Sequence, residues 1–145
     1  MRASMSKSMM FKEYFQDAPG YNEATYVDGR FKVRADRICE VDGKTIIIDI
    51  KTTDDATPEA FKKKMHQLDY DLSAVMYCDI AKADEFIWVV QEREAPFACC
   101  WYRMTDWIHQ KGLSKLKMAH EALETQELPM GGYSGHKAEY EIVGL

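Results

Sequence analysis

The chain has 145 residues, enough for one domain with a real core and too few for two comfortable ones. Its 46% hydrophobic and 30% charged residues are an ordinary globular composition, and no apolar run approaches the ~18 residues of a membrane span. A net charge of −5 excludes indiscriminate, charge-driven binding to nucleic acid, though not a local basic groove.

Residues 1–20 end in Pro19-Gly20 and predict a loose arm with one short helix over 9–15. Met1 to Met10 lacks the apolar stretch of a secretory signal, and with no membrane span the expectation is a cytoplasmic protein. A strand over 23–27 turns at Asp28-Gly29 into a second over 31–39. Asp42-Gly43 is a strong two-residue hairpin signal, and it leads into a third strand over 45–51. There Ile46, Ile47, Ile48 and Ile50 predict burial on both faces.

Thr57-Pro58-Glu59 marks a helix start: a capping hydroxyl, proline at the first helical position, an acid near the positive end of the dipole. The pattern weakens near Leu68-Asp69 and resumes at Tyr70 or Asp71 as far as Ala81, with Ala74, Tyr77, Cys78 and Ala81 on one stripe. Strands over 85–91 and 97–102 flank a turn over 92–96 that ends at Pro96. Thr105-Asp106 then caps a helix carrying Trp107, Ile108, Leu116, Ala119 and Leu123 to Thr125. Pro129, Gly131, Gly132 and Gly135 predict an irregular tail over 126–145. The order predicts an α/β (α+β) fold in one domain: a mixed central sheet of about five strands flanked by helices.

Cys39, Cys78, Cys99 and Cys100 form no C-x-x-C pair and are expected to be reduced and buried. His66, His109, His120 and His136 show no ligand spacing, so surface or packing roles are expected. Trp88, Trp101 and Trp107 are expected in the core, although exposed tryptophans can stack on bases. Lys62, Lys63 and Lys64, and Lys111, Lys115 and Lys117, are the cations available to a local basic groove; solvated helix faces are the plainer reading of each cluster.

With Asp42-Gly43 as the loop, Val41 pairs with Lys44 and Asp36 falls opposite Asp49, their Cβ atoms roughly 5 Å apart. Lys51, two residues on, points to the same face. Facing acids destabilise a sheet, and a charged group ending an interior strand is costly unless paired or coordinated. Such a conflict is how a functional site shows itself in sequence. Two readings follow. In one, Arg34 and Lys51 neutralise Asp36 and Asp49 diagonally, an exposed quartet worth little. In the other, the acids hold Mg²⁺ or Mn²⁺, with the Ile50 backbone carbonyl as a further ligand. Such a cation acidifies water and stabilises charge on a phosphate, while Lys51 orients the nucleophile or offsets developing charge. That is the chemistry of phosphodiester hydrolysis.

Asp36 followed by Asp49-Ile50-Lys51 resembles the core motif of the PD-(D/E)XK nuclease superfamily. The text around it is more specific: Lys32-Val33-Arg34-Ala35-Asp36-Arg37-Ile38, Ile48 through Ala56, Pro58-Glu59-Ala60-Phe61, and Tyr70 through Tyr77. It is similar to the exonuclease VIII (RecE-like) branch, with a looser likeness to the RecB nuclease domain, from Glu23 to Tyr133. The resemblance implies a restriction-endonuclease-like core and an Mg²⁺-dependent exonuclease degrading duplex DNA from 5′ ends in phage-type recombination. It implies rings of copies around DNA and a single-strand annealing protein as partner. A structure-specific endonuclease and a nuclease fold kept as a DNA-binding module are the alternatives. By the motif, Asp36 and Asp49 bind metal, Lys51 is catalytic, Glu23 is a further ligand candidate and Tyr77 lines the site. Two departures stand out. Ser73 replaces the glutamine of the Gln-x-x-x-Tyr helix motif, with Gln67 two turns away, and no histidine precedes His66. The chain is thus expected to be a trimmed core, a shortened version or a weakened one.

Overall fold

A computed structural model describes residues 8–29 and 31–125. The expected tail, His136 and Tyr133 lie outside the described residues. Helix α1 is a short turn, Met9–Phe11, that continues as a π-helix over Lys12–Asp17, where the Ala18 N–H reaches the Glu13 carbonyl (3.0 Å). Strands β1 (Gly20–Asp28), β2 (Phe31–Val41) and β3 (Lys44–Thr53) form a meander. Helices α2 (Pro58–Gln67) and α3 (Tyr70–Ala81) then cross over to β4 (Glu85–Glu92), parallel to β3. Strand β5 (Cys99–Arg103) returns antiparallel, and α4 (Asp106–Thr125) closes the described chain. The sheet order is β1-β2-β3-β4-β5, mixed as expected. No helix among the described residues is long and apolar enough to cross a membrane.

The two sheet faces hold separate cores. On one, Ile38, Ile47, Phe86 and Trp88 pack against Phe61 and Met65 of α2 and Ala74 and Cys78 of α3. On the other, Cys39, Ile46, Ile48, Ile87 and Val89 pack against Tyr14 of α1. Burial pushes the Cys78 thiol up to about 12, so it is an inert core group. All four cysteines are free, but Cys99 and Cys100 are only half-buried.

Several elements depart from expectation. Strand β1 begins three residues early because Gly20 can lie flat against Cys39; a Cβ there would collide with the Ile38 carbonyl. Arg37 adds a clip no sequence pattern announced. Its buried guanidinium donates to the Tyr14 and Ala18 carbonyls and to Asn22 Oδ1, at 2.5, 2.9 and 3.0 Å, fixing α1 to the sheet. Strand β5 starts late. Phe97 sits in a loop at φ +58°, held by the Gln91 amide, and the Glu92 carboxylate accepts from Ala98.

Trp107, expected in the core, is 62% exposed. Helix α4 meets α3 through Gly112 and Lys115, and Ile108 packs on the core; Trp107 lies about 100° round from Ile108. Leu123 is on the Gly112 side but also exposed, because the 20-residue α4 overshoots the 12-residue α3. Trp88 is buried as expected, while Trp101 is half-buried against Tyr14 and Phe15. His120 lies against Phe31 on the surface, and His66 contacts Lys111.

Candidate active site

The turn at Asp42 (φ +51°) and Gly43 (φ +74°) sets the β2–β3 register that the loop predicts, Val41 opposite Lys44 and on to Arg37 opposite Ile48. The next step would set Asp36 against Asp49, and there the ladder stops. In place of backbone pairing, the Asp36 side chain inserts: its Oδ2 accepts the Ile50 N–H at 2.7 Å. The same point interrupts β1, where Glu23 takes φ +54° and drops out of the ladder opposite Asp36. Ala35 and Ile38, an odd spacing, both reach the α2–α3 core, so side-chain alternation in β2 also breaks at Asp36–Arg37. The strands part where the acids stand.

On β3, Asp49 and Lys51 share the face covered by α2 and α3. The Lys51 Nζ lies 2.9 Å from Asp49 Oδ2, with the two side chains 31% and 14% exposed. Among the described residues that oxygen makes no aligned hydrogen bond although it is buried; the ammonium is close but off-axis. Burial raises the Asp49 pKa above the ordinary carboxylate range, Lys51 opposes the rise, and the Asp36 charge adds to it. For Lys51, burial alone would lower the pKa. The Asp49 carboxylate outweighs it, aided by Tyr70 and Asp36, and the net shift is upward. The charges of Asp36, Asp49 and Lys51 therefore act on one another at close range.

A cleft of about 140 Å³ opens over Asp49 and Lys51, lined also by Leu68, Tyr70, Ser73, Tyr77 and Trp88. Tyr77 meets Phe86 edge-on at 6.2 Å. Ser73 is exposed, its hydroxyl donating to the Asp69 carbonyl, so it does not extend a glutamine's reach into the cleft. Gln67 ends α2, exposed and outside the lining.

Glu23 and Arg34 pair with each other at 3.2 Å on the exposed side. The diagonal quartet is thus not made, since Arg34 spends its charge on Glu23. Among the described residues no three His, Cys, Asp or Glu side chains gather to hold an ion, so Glu23 does not join the two aspartates. Lys64 is tied to Thr53 Oγ1 at 2.6 Å, while Lys62 and Lys63 are exposed.

Sequence reasoning missed Tyr70 and Leu68. Tyr70 carries the Lys51 ammonium 4.7 Å over its ring. The signal was present: Tyr70, Ser73 and Tyr77 recur at helical spacing on one face.

No curated protein matches the chain. Among solved structures, a Eubacterium rectale protein described as a candidate exonuclease superposes with TM-score 0.67, at 16% identity, over 85% of this chain and 50% of its own. SSO0001, at TM-score 0.48 and 18% identity, matches 83% of this chain and 56% of its own, too loosely to carry an argument. The chain spans about half the length of these structures. At such identities the likeness is one of fold. The family profile of the PDDEXK-like domain of unknown function DUF3799 matches residues 1–139, and the chain, with its mixed sheet, belongs to that PD-(D/E)XK-like family.

Proposed function

We propose that this domain is a divalent-metal-dependent deoxyribonuclease that hydrolyses phosphodiester bonds, an exonuclease degrading duplex DNA from 5′ ends as in phage-type recombination. One observation carries the reading: Asp36 and Asp49 stand at the point where β2 and β3 part, with the Lys51 ammonium 2.9 Å from Asp49 inside a cleft.

The donor set suits Mg²⁺ or Mn²⁺. Among the described residues Asp49 Oδ2 is buried without a hydrogen bond, Asp36 accepts the Ile50 N–H, and both are hard oxygen donors. On a strand, a residue's N–H and C=O point to the same side, so the Ile50 carbonyl shares the gap into which its N–H meets Asp36. With two carboxylates and one carbonyl from the protein, the remaining positions suit water and phosphate oxygen, the usual preference of Mg²⁺. A divalent cation bound there would supply Lewis-acid stabilisation to the phosphate. Lys51 offsets negative charge growing on the phosphate, and Tyr70, Tyr77 and Trp88 wall the reacting group from bulk water. Lys62 and Lys63 offer cations to the DNA backbone. Partners in this reading are duplex DNA ends, further copies in a ring and a single-strand annealing protein.

The test is degradation of end-labelled linear duplex with Mg²⁺ or Mn²⁺ and protection in EDTA. Asp49→Ala and Lys51→Ala should each lower turnover by on the order of 10³-fold while the protein stays folded. Covalently closed circles should survive; cutting of circles would make it an endonuclease. No cleavage of any DNA or RNA would end the catalytic reading.

A further inference from the structure

We propose that Tyr70 is a positioning residue whose ring face holds the Lys51 ammonium in the cleft; this rests on the nuclease reading above. The ammonium stands 4.7 Å from the ring centre, and Tyr70 itself lines the cleft. The ring is not free to swing. It opens α3 directly after Asp69, which is locked at φ +50° and paired with Lys115 at 2.6 Å. Behind it stands Phe61 at 6.3 Å, stacked in turn on Tyr102 at 4.6 Å, whose hydroxyl donates to the Ala56 carbonyl at 2.6 Å. A row of three rings thus runs from the loop after β3 to the lysine.

The reason for a second holder lies in Asp49. That carboxylate is the charged partner of Lys51 and also the best-placed ligand for a divalent cation. Once Asp49 is taken up by a cation, its hold on the ammonium weakens and the two positive charges repel. A neutral ring face ligates no hard cation, yet still attracts an ammonium. Tyr70 therefore keeps Lys51 where negative charge develops. The Lys51 side chain is 31% exposed, so the contact is partly desolvated and stronger than a surface one.

The experiment replaces Tyr70 in the full chain by Phe, then by phenylalanines of increasing ring fluorination, which keep shape and drain the ring's negative face. On end-labelled duplex, Tyr70→Phe should keep kcat within about twofold, and the fluorinated series should lower kcat stepwise, on the order of tenfold in all, at constant KM. In parallel, the Lys51 ε-methylene protons with Mg²⁺ present should be shifted upfield in wild type and Tyr70→Phe, and should return to ordinary values in Tyr70→Leu. A flat kcat series, or a Tyr70→Phe variant as slow as the most fluorinated one, overturns the proposal. So does an unshifted Lys51 signal in wild type, whatever the activity. Wild type that cuts nothing sinks the nuclease reading instead, leaving the resonance to decide the contact.

Discussion

Asp49 lies inside β3, between Ile48 and Ile50, and its burial costs more than Lys51 returns: the carboxyl's pKa is raised, not lowered. The linkage has a definite sign. A folded-state pKa above the unfolded one adds stability that is fully present below the unfolded value and is lost as pH rises through the folded value. Metal-free protein at neutral pH is therefore weakened by an ionised Asp49. Asp49→Asn, which mimics the protonated form, should raise Tm in EDTA near pH 7, and the gain should shrink toward about pH 4. Thermal unfolding across that range is the check; a variant less stable than wild type at every pH would contradict it. This conflict was legible, because a lone acid after four β-branched residues breaks the pattern of a buried strand. The fate of Glu23 was not. Its positive φ and its pairing with Arg34 depend on a distortion in β1 that no local spacing encodes.

At the level of elements, the hairpin was the most legible part, since Asp42-Gly43 sets the turn and the turn sets the register of every later pair. Helix α4 was read less well. Its apolar residues promise a stripe through Trp107, but its contact with α3 is set by a small residue and a buried ion pair. Gly112 lies against the Asp71 backbone, where a Cβ would stand 2.5 Å from the carbonyl oxygen and 2.6 Å from Val75 Cγ2. Lys115 reaches the 1%-exposed Asp71 at 2.7 Å. A glycine in mid-helix reads as a weakness in sequence and acts here as a seat. Gly112→Ala should therefore destabilise by roughly 1–3 kcal/mol despite alanine's better helix propensity. Urea denaturation measures this, and a stabilised variant would show that the helices do not meet there.

Across the described residues, the sheet carries α2, α3 and α4 on one face and α1 on the other, and Asp49, Lys51 and the cleft belong to the three-helix side. The mixed order follows from physics visible in the chain: two Asp-Gly turns make an antiparallel meander, and the two-helix crossover that follows is long enough to bring β4 back parallel to β3. The clip of α1 by Arg37 was invisible because two of its three acceptors, the Tyr14 and Ala18 carbonyls, are backbone groups that no side-chain pattern marks. The central claim is that Asp36 and Asp49 share one divalent cation. Its most direct test is a crystal structure of the protein soaked in Mn²⁺, read by anomalous scattering. The account predicts an ion between the two carboxylates at roughly 2.0–2.3 Å, with Lys51 turned off Asp49 and still over Tyr70. An anomalous map empty at that point, with Lys51 still paired to Asp49, would contradict it.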